Sequence, residues 1–206
     1  NLMRQERIVF MGTPKISKIY LQSLIDNKYN IIGVYTQPPQ KQERGMKVQN
    51  SAVHKLSLEN NIPVFHPKNF ESSETINEFK ELNSDLTVVM GYGKLLPKNI
   101  LNTPVHGSIN IHVSLLPRWR GAAPIEHAIL NGDGSTGVTI FKLDEKLDSG
   151  PIIAAKEIDI NKNISKEDLI IQLNALGTSL LIKILPDFLD KKITLQKQDE
   201  NKVTYA

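Results

Sequence analysis

The sequence predicts an α/β fold: a mostly parallel, twisted sheet with helices on both faces. The first observation behind this is alternation. Short apolar runs rich in Val and Ile, among them Arg7 to Met11, Ile31 to Thr36 and Asp85 to Met90, are separated by stretches with Ile and Leu at helical spacing. Strands separated by helices pair in parallel through right-handed crossovers. The second observation is punctuation, since Gly12-Thr13-Pro14 and Gly91-Tyr92-Gly93 follow two of these strands as turns. The third is size: 206 residues hold one sizeable domain, or one and the start of another.

Taken in order, residues 7–11 form a strand and Ile16 to Ile25 a helix, with Ile16, Ile19, Leu21, Leu24 and Ile25 on its apolar stripe. Residues 31–36 form a second strand that runs into a polar segment with Pro38, Pro39 and Gly45, read as a loop. Ser51 opens a helix to about Asn60. Residues 63–65 are a short strand, 74–82 a helix and 85–90 a strand. Beyond the run that starts at Ser108, a helix over 122–131 and strands over 137–143 and 151–155 follow. Ser165 is a helix N-cap with Glu167 and Asp168 in the first turn, and Pro186 predicts an end or a kink near Leu185. Residues 194–196 are a candidate edge strand.

Several classes are disfavoured. With no cysteine there is no disulfide scaffold, thiolate chemistry or cysteine metal site, and the composition fits a cytoplasmic protein. No run of about 18 apolar residues stands out, so no membrane partner is expected, and the N-terminus has no signal-peptide pattern. The architecture is Rossmann-like, yet only Gly12 follows the first strand where a dinucleotide fingerprint needs three glycines, which argues against a nicotinamide enzyme. The net charge of +3 is concentrated: Lys41, Arg44, Lys47 and Lys55 against Glu43 account for all of it. A basic segment on an otherwise neutral chain suggests an anionic partner, although most such clusters are solvated surface.

Chemistry is expected around Ser108 to Pro117. In an extended chain Asn110 and His112 share one face, and a strand has little reason to place an amide and an imidazole there unless both have partners. For an isolated Asn-x-His, two satisfied edge residues would be the better reading. The following segments decide otherwise. Asn110-x-His112-x-Ser114-Leu115-Leu116-Pro117 together with Leu147-Asp148-x-Gly150 resembles the folate-dependent formyltransferase family. The fuller segment Ser114 to Ile125 and Phe10 to Pro14 resemble the branch acting on methionyl-tRNA, over about Arg7 to Ala206.

The resemblance implies a catalytic group of Asn110, His112 and Asp148, and transfer of the formyl group of 10-formyltetrahydrofolate to the α-amine of initiator methionyl-tRNA, with no metal. Asn110 would donate to the oxygen that gains charge, and His112 would donate there and later to the departing nitrogen. Asp148 would orient the imidazole and balance its charge, while Asp144 competes for that role or caps a turn. Gly93, Lys94, Leu95, Leu96, Ser114, Leu115, Leu116 and Pro117 would line the folate site, and Lys41, Arg44 and Lys47 would meet the tRNA. His54, His66, His106 and His127 match no position of the family. Residues 1–190 would be the catalytic domain of a monomer, and 191–206 the start of a linker to a C-terminal β-barrel absent from this chain. Lys146 and Val113 depart from the family, which usually has glycine and a small residue there, as does Lys15-Ile16-Ser17 after Pro14. A formyltransferase for an amino sugar nucleotide, or a non-catalytic RNA-binding module, are the alternatives. The arginines of Arg118-Trp119-Arg120 and the Arg44 loop favour tRNA over the sugar.

Overall fold

The computed structural model describes residues 4–42 and 47–206, which divide into two compact units, Asn1–Ser108 and Ile109–Ala206. In the first, β1 (Arg7–Met11), α1 (Lys15–Asp26) and β2 (Asn30–Tyr35) are followed by a small hairpin of β3 (Gln40–Gln42) and β4 (Lys47–Gln49). Then come α2 (Ala52–Glu59), β5 (Val64–Phe65), α3 (Ser73–Glu81), β6 (Leu86–Val89) and α4 (Lys98–Leu101). The strands β5-β2-β1-β6 lie side by side, all in parallel. Ile8 to Met11 are all fully buried and β6 is buried throughout, as strands covered on both faces must be. The α/β, mostly parallel sheet expected from the sequence is therefore what forms.

Strand order reverses at β1, because β2 and β5 lie to one side of it and β6 to the other. In open α/β sheets ligands bind beyond the carboxyl ends of the strands at such a switch. Here those ends are tied together: Thr13 N–H donates to Gly91 O at 3.0 Å and Thr13 Oγ1 to Tyr92 O at 3.2 Å. Gly12 is required by close approach, since a Cβ there would lie 2.6 Å from Met90 O. Gly93 to Leu96 leave this cluster, with Leu95 95% exposed.

The second unit is antiparallel, which the element order did not foretell. β7 (Ser108–His112) pairs with β8 (Ser135–Lys142), and β8 with β9 (Ile152–Asp159). α5 (Pro124–Leu130) and the long α6 (Lys166–Leu189) complete it, with α6 packed on β8 and β9. Ser165 Oγ accepts from Asp168 N–H at 3.0 Å, the expected cap. Pro186 does not end α6; Leu185 and Leu189 are buried, and this packing outweighs one missing backbone donor. By length and composition α6 could span a membrane, contrary to the expectation that no apolar run is long enough. Its Leu169, Leu173, Leu181 and Leu185 are instead fully buried, as in the core helix of a globular unit.

Other differences are local. The basic segment is partly the β3–β4 hairpin, where Lys41 and Lys47 are exposed; Arg44 lies outside the described residues. Residues 194–196 contribute only an isolated bridge between Gln196 and Ile152. The stretch 191–206, expected as the start of a linker, falls within the second unit.

Candidate active site

β7 sends Ile109 and Ile111 into the core and leaves Asn110 half-buried on its other face, with His112 8% exposed. Register with β8 sets Asn110 opposite Phe141 and His112 opposite Thr139. Among the described residues the Asn110 side chain makes no hydrogen bond, so its N–H groups are available to a ligand.

The segment after β7 folds back over His112. Thr139 Oγ1 donates to Ser114 O at 2.7 Å and accepts from Leu116 N–H at 3.1 Å, while Ser114 Oγ donates to Arg118 O at 2.6 Å. The Leu116–Pro117 bond is cis, and Trp119 has φ +60°. This turn brings Trp119 O to 2.8 Å from His112 Nε2. A carbonyl only accepts, so the partner assigns the hydrogen on that nitrogen.

The other ring nitrogen, Nδ1, faces Asp148. Its distance to Asp148 Oδ2 is 3.8 Å, within ion-pair range and longer than a hydrogen bond. Asp148 sits in the β8–β9 connection at φ +48°, with 8% of its surface exposed, and Oδ2 accepts from Gly121 N–H at 2.8 Å. The three candidate catalytic residues thus belong to one unit, with the imidazole steered mainly by the Trp119 carbonyl rather than by the carboxylate. Asp144 is exposed and accepts from Lys146 N–H and Ser149 Oγ, which makes it the turn cap. Val113 is buried.

The predicted folate residues divide. Ser114 O and Leu116 N–H are already paired with Thr139 Oγ1 of β8, and Leu115 O with Arg118 N–H at 3.0 Å. Gly93 to Leu96 lie in the first unit, after the switch point. The arginines beside Trp119 are also occupied. Arg118 donates from Nε and an amino nitrogen to Asp133 at 2.8 and 2.6 Å, and its guanidinium lies 4.4 Å from the centre of the Trp119 ring. Trp119 Nε1 donates to the same carboxylate at 2.8 Å. The Arg118 guanidinium holds the Asp133 carboxyl far below the usual carboxylate range. Arg120 is buried against Gln198 and Glu200. Arg120 is thus committed within the chain, while Arg118, 40% exposed, keeps one amino group outside its bonds to Asp133.

Sequence reasoning missed Gln198, Thr204 and the Trp119 carbonyl. The first two lie 48 or more positions from the turns they touch, and a backbone carbonyl leaves no mark in residue types. Among the described residues no cluster of three or more His, Cys, Asp or Glu could hold a metal.

With β7, its return turn and the Asp148 connection in place, the fold can be set beside known proteins. The sequence matches the family described as Formyl transferase over residues 6–185, and the chain belongs to that family. It is 42% identical over 200 residues to a methionyl-tRNA formyltransferase of Pseudoalteromonas translucida, covering 97% of this chain and 62% of that relative. The chain thus spans less than two thirds of that relative's length. Among solved structures, the phosphoribosylglycinamide formyltransferase of Anaplasma phagocytophilum shares the fold with TM-score 0.79 at 21% identity, covering 98% of both chains. The N-formyltransferase of Helicobacter canadensis, solved in complex with folinic acid and dTDP-3-aminofucose, gives TM-score 0.70 at 21% identity, covering 98% of this chain and 71% of that one.

Proposed function

We propose that the protein transfers the formyl group of 10-formyltetrahydrofolate to the α-amine of methionine on initiator methionyl-tRNA, for translation initiation in the cytoplasm. The observation that carries this reading is the uncommitted Asn110 amide beside a His112 imidazole that faces a buried carboxylate, Asp148, 3.8 Å away. Identity of 42% to a methionyl-tRNA formyltransferase favours this acceptor over an aminated sugar nucleotide, and over an RNA-binding module without catalysis.

The residues divide the work. When the amine attacks the formyl carbon, negative charge grows on oxygen, and the Asn110 amide donates to it. Nε2 of His112 is held by Trp119 O, so Nδ1 is the atom that handles the proton, which ends on the departing nitrogen. Asp148, beside Nδ1, balances the charge on the ring. The folate donor supplies the activated formyl group, and the turn from Ser114 to Pro117 lines its site. Gly93, Lys94, Leu95 and Leu96 stay assigned to the donor by family resemblance and by their place after the switch point. Residues 1–190 carry the proposed catalytic and donor-binding side chains, 191–206 pack within the second unit on the way to a further β-barrel, and the protein works as a monomer away from membranes. Arg44 is assigned to tRNA on sequence alone.

The test is transfer from 10-formyltetrahydrofolate to charged initiator tRNA, comparing the whole protein with its Asn110→Ala variant. Formylmethionine should form, and the variant should lose roughly 10²–10³ in kcat. No product from active substrates would sink the assignment; an undiminished rate in the variant would remove Asn110 from the mechanism.

A further inference from the structure

Gln198 joins the Asp148 turn to the return turn; the two also meet through Gly121 N–H and Asp148 Oδ2. Its side-chain amide is buried, 8% exposed, and every polar atom in it is used. Nε2 donates to Asp148 O and to Gly150 O, both at 2.8 Å. Oε1 accepts from Arg120 at Nε, 3.2 Å, and at an amino nitrogen, 3.0 Å. One primary amide has two hydrogens and two acceptor sites, so this is its full capacity. On one side stands the Asp148 turn and on the other the return turn from Pro117 to Gly121.

The residues that follow Gln198 hold that return turn as well. Thr204 Oγ1 accepts from Trp119 N–H at 2.9 Å, and Thr204 O accepts from Arg120 N–H at 2.9 Å. Ala206 N–H donates to Arg120 O at 2.7 Å, so Arg120 and Tyr205 form a parallel bridge. Gly121 has φ +113°, and a Cβ on it would lie 2.7 Å from Ala206 O. Both groups that face the imidazole, Trp119 O and Asp148 Oδ2, are therefore placed by residues 198–206.

This placement has work to do. Trp119 and Asp148 have left-handed backbone, which costs a residue with a side chain free energy that its surroundings must offset. Each is pinned on both sides, Trp119 through its N–H to Thr204 and its carbonyl to His112, Asp148 through its own carbonyl to Gln198 and its carboxylate to Gly121 N–H.

We propose that Gln198 is a positioning residue for formyl transfer, which fixes the Asp148 carboxylate against His112 by clasping the Asp148 and Gly150 carbonyls to Arg120. The inference rests on the proposed catalytic roles of His112 and Asp148. Gln198→Glu is nearly isosteric; it keeps the acceptor for Arg120 and sets an oxygen against two carbonyl oxygens. Gln198→Ala removes the whole clasp.

Two readouts are made on the whole protein, after a melting curve shows that each variant is folded. In the transfer assay kcat should fall about 10–100-fold in both variants with KM for both substrates unchanged, because misplacement of a held group costs turnover rather than binding. In amide hydrogen exchange, the Gly121 N–H should exchange faster than in the unsubstituted protein, while amides of α6 keep their rates. A folded Gln198→Glu protein with normal kcat, or one with only KM altered, overturns the proposal. So does unchanged exchange at Gly121. If the unsubstituted protein transfers no formyl group, the functional reading fails and the role in turnover goes with it. The Gly121 exchange rate then still decides whether Gln198 holds the Asp148 turn.

Discussion

Two carboxylates of the second unit, Asp133 and Asp148, bear on the same return turn and are held in opposite ways. Asp133 accepts from Arg118 twice, from Trp119 Nε1 and from Asn131, so its acceptor sites are filled by the protein. The Asp148 side chain accepts one N–H, from Gly121, and faces an imidazole nitrogen 3.8 Å off, too far for a hydrogen bond. A saturated carboxylate can only anchor. One with acceptor sites left over can answer a charge that appears during a reaction, and burial strengthens that answer. By distance alone the Arg118–Asp133 pair is the tighter of the two, yet it is the looser pair that has the properties of a reactive group.

The same substitution at both carboxylates should separate these roles. Asp148→Asn keeps the shape and an oxygen for Gly121 N–H, and removes the charge beside His112 Nδ1. It should lower kcat by roughly 10²–10⁴-fold, the range for a proton-transfer apparatus, with little change in melting temperature. Retained turnover in a folded Asp148→Asn protein would erase the distinction.

Asp133→Asn should do the reverse. The lost charge weakens the bonds from Arg118, whose side chain is 40% exposed, so solvent discounts the cost to about 1–2 kcal/mol. A chain of this size then melts roughly 2–8 °C lower, with kcat close to that of the unsubstituted protein. The effect has a pH signature. Arg118 depresses the folded-state ionisation of Asp133, so its contribution is complete above the ordinary carboxylate range, about pH 4, and disappears as pH falls below it. The gap in melting temperature between the two proteins should therefore be constant near neutrality and narrow in acid. A gap that widens in acid would show that something other than the ionised carboxylate is at stake.

The contrast between the two carboxylates also marks what a sequence can reveal. Asn110 and His112 were legible because strand periodicity places i and i+2 on one face, and Asp148 because it stands in a Leu-Asp-x-Gly pattern. The parallel β5-β2-β1-β6 arrangement followed from strands alternating with helices. The occupation of Arg118 by Asp133 was not legible, since nothing local says that an arginine beside tryptophan has a carboxylate within reach 15 positions on. The β3–β4 hairpin was hidden for another reason. Its residues are polar, two prolines precede it, and a two-stranded ribbon with no apolar face leaves no periodic signal.

That hairpin gives the smallest predicted effect. Lys41 pairs with Val48, and Lys47 with Gln42, the next position along. Residues directly opposite share a face and neighbours along a strand alternate, so Lys41 and Lys47 project from opposite faces of the ribbon. The two cannot be equivalent toward one RNA strand lying on one face. If the hairpin meets the tRNA as proposed, one of Lys41→Gln and Lys47→Gln should flatten the salt dependence of tRNA binding by about 0.7–0.9, the value of a single phosphate contact. The other should leave it unaltered, and the double variant should match the more affected single variant. Equal and additive losses would mean that RNA wraps both faces. No loss in either would return these lysines to solvated surface, the same kind of place that the structure gives Asp144.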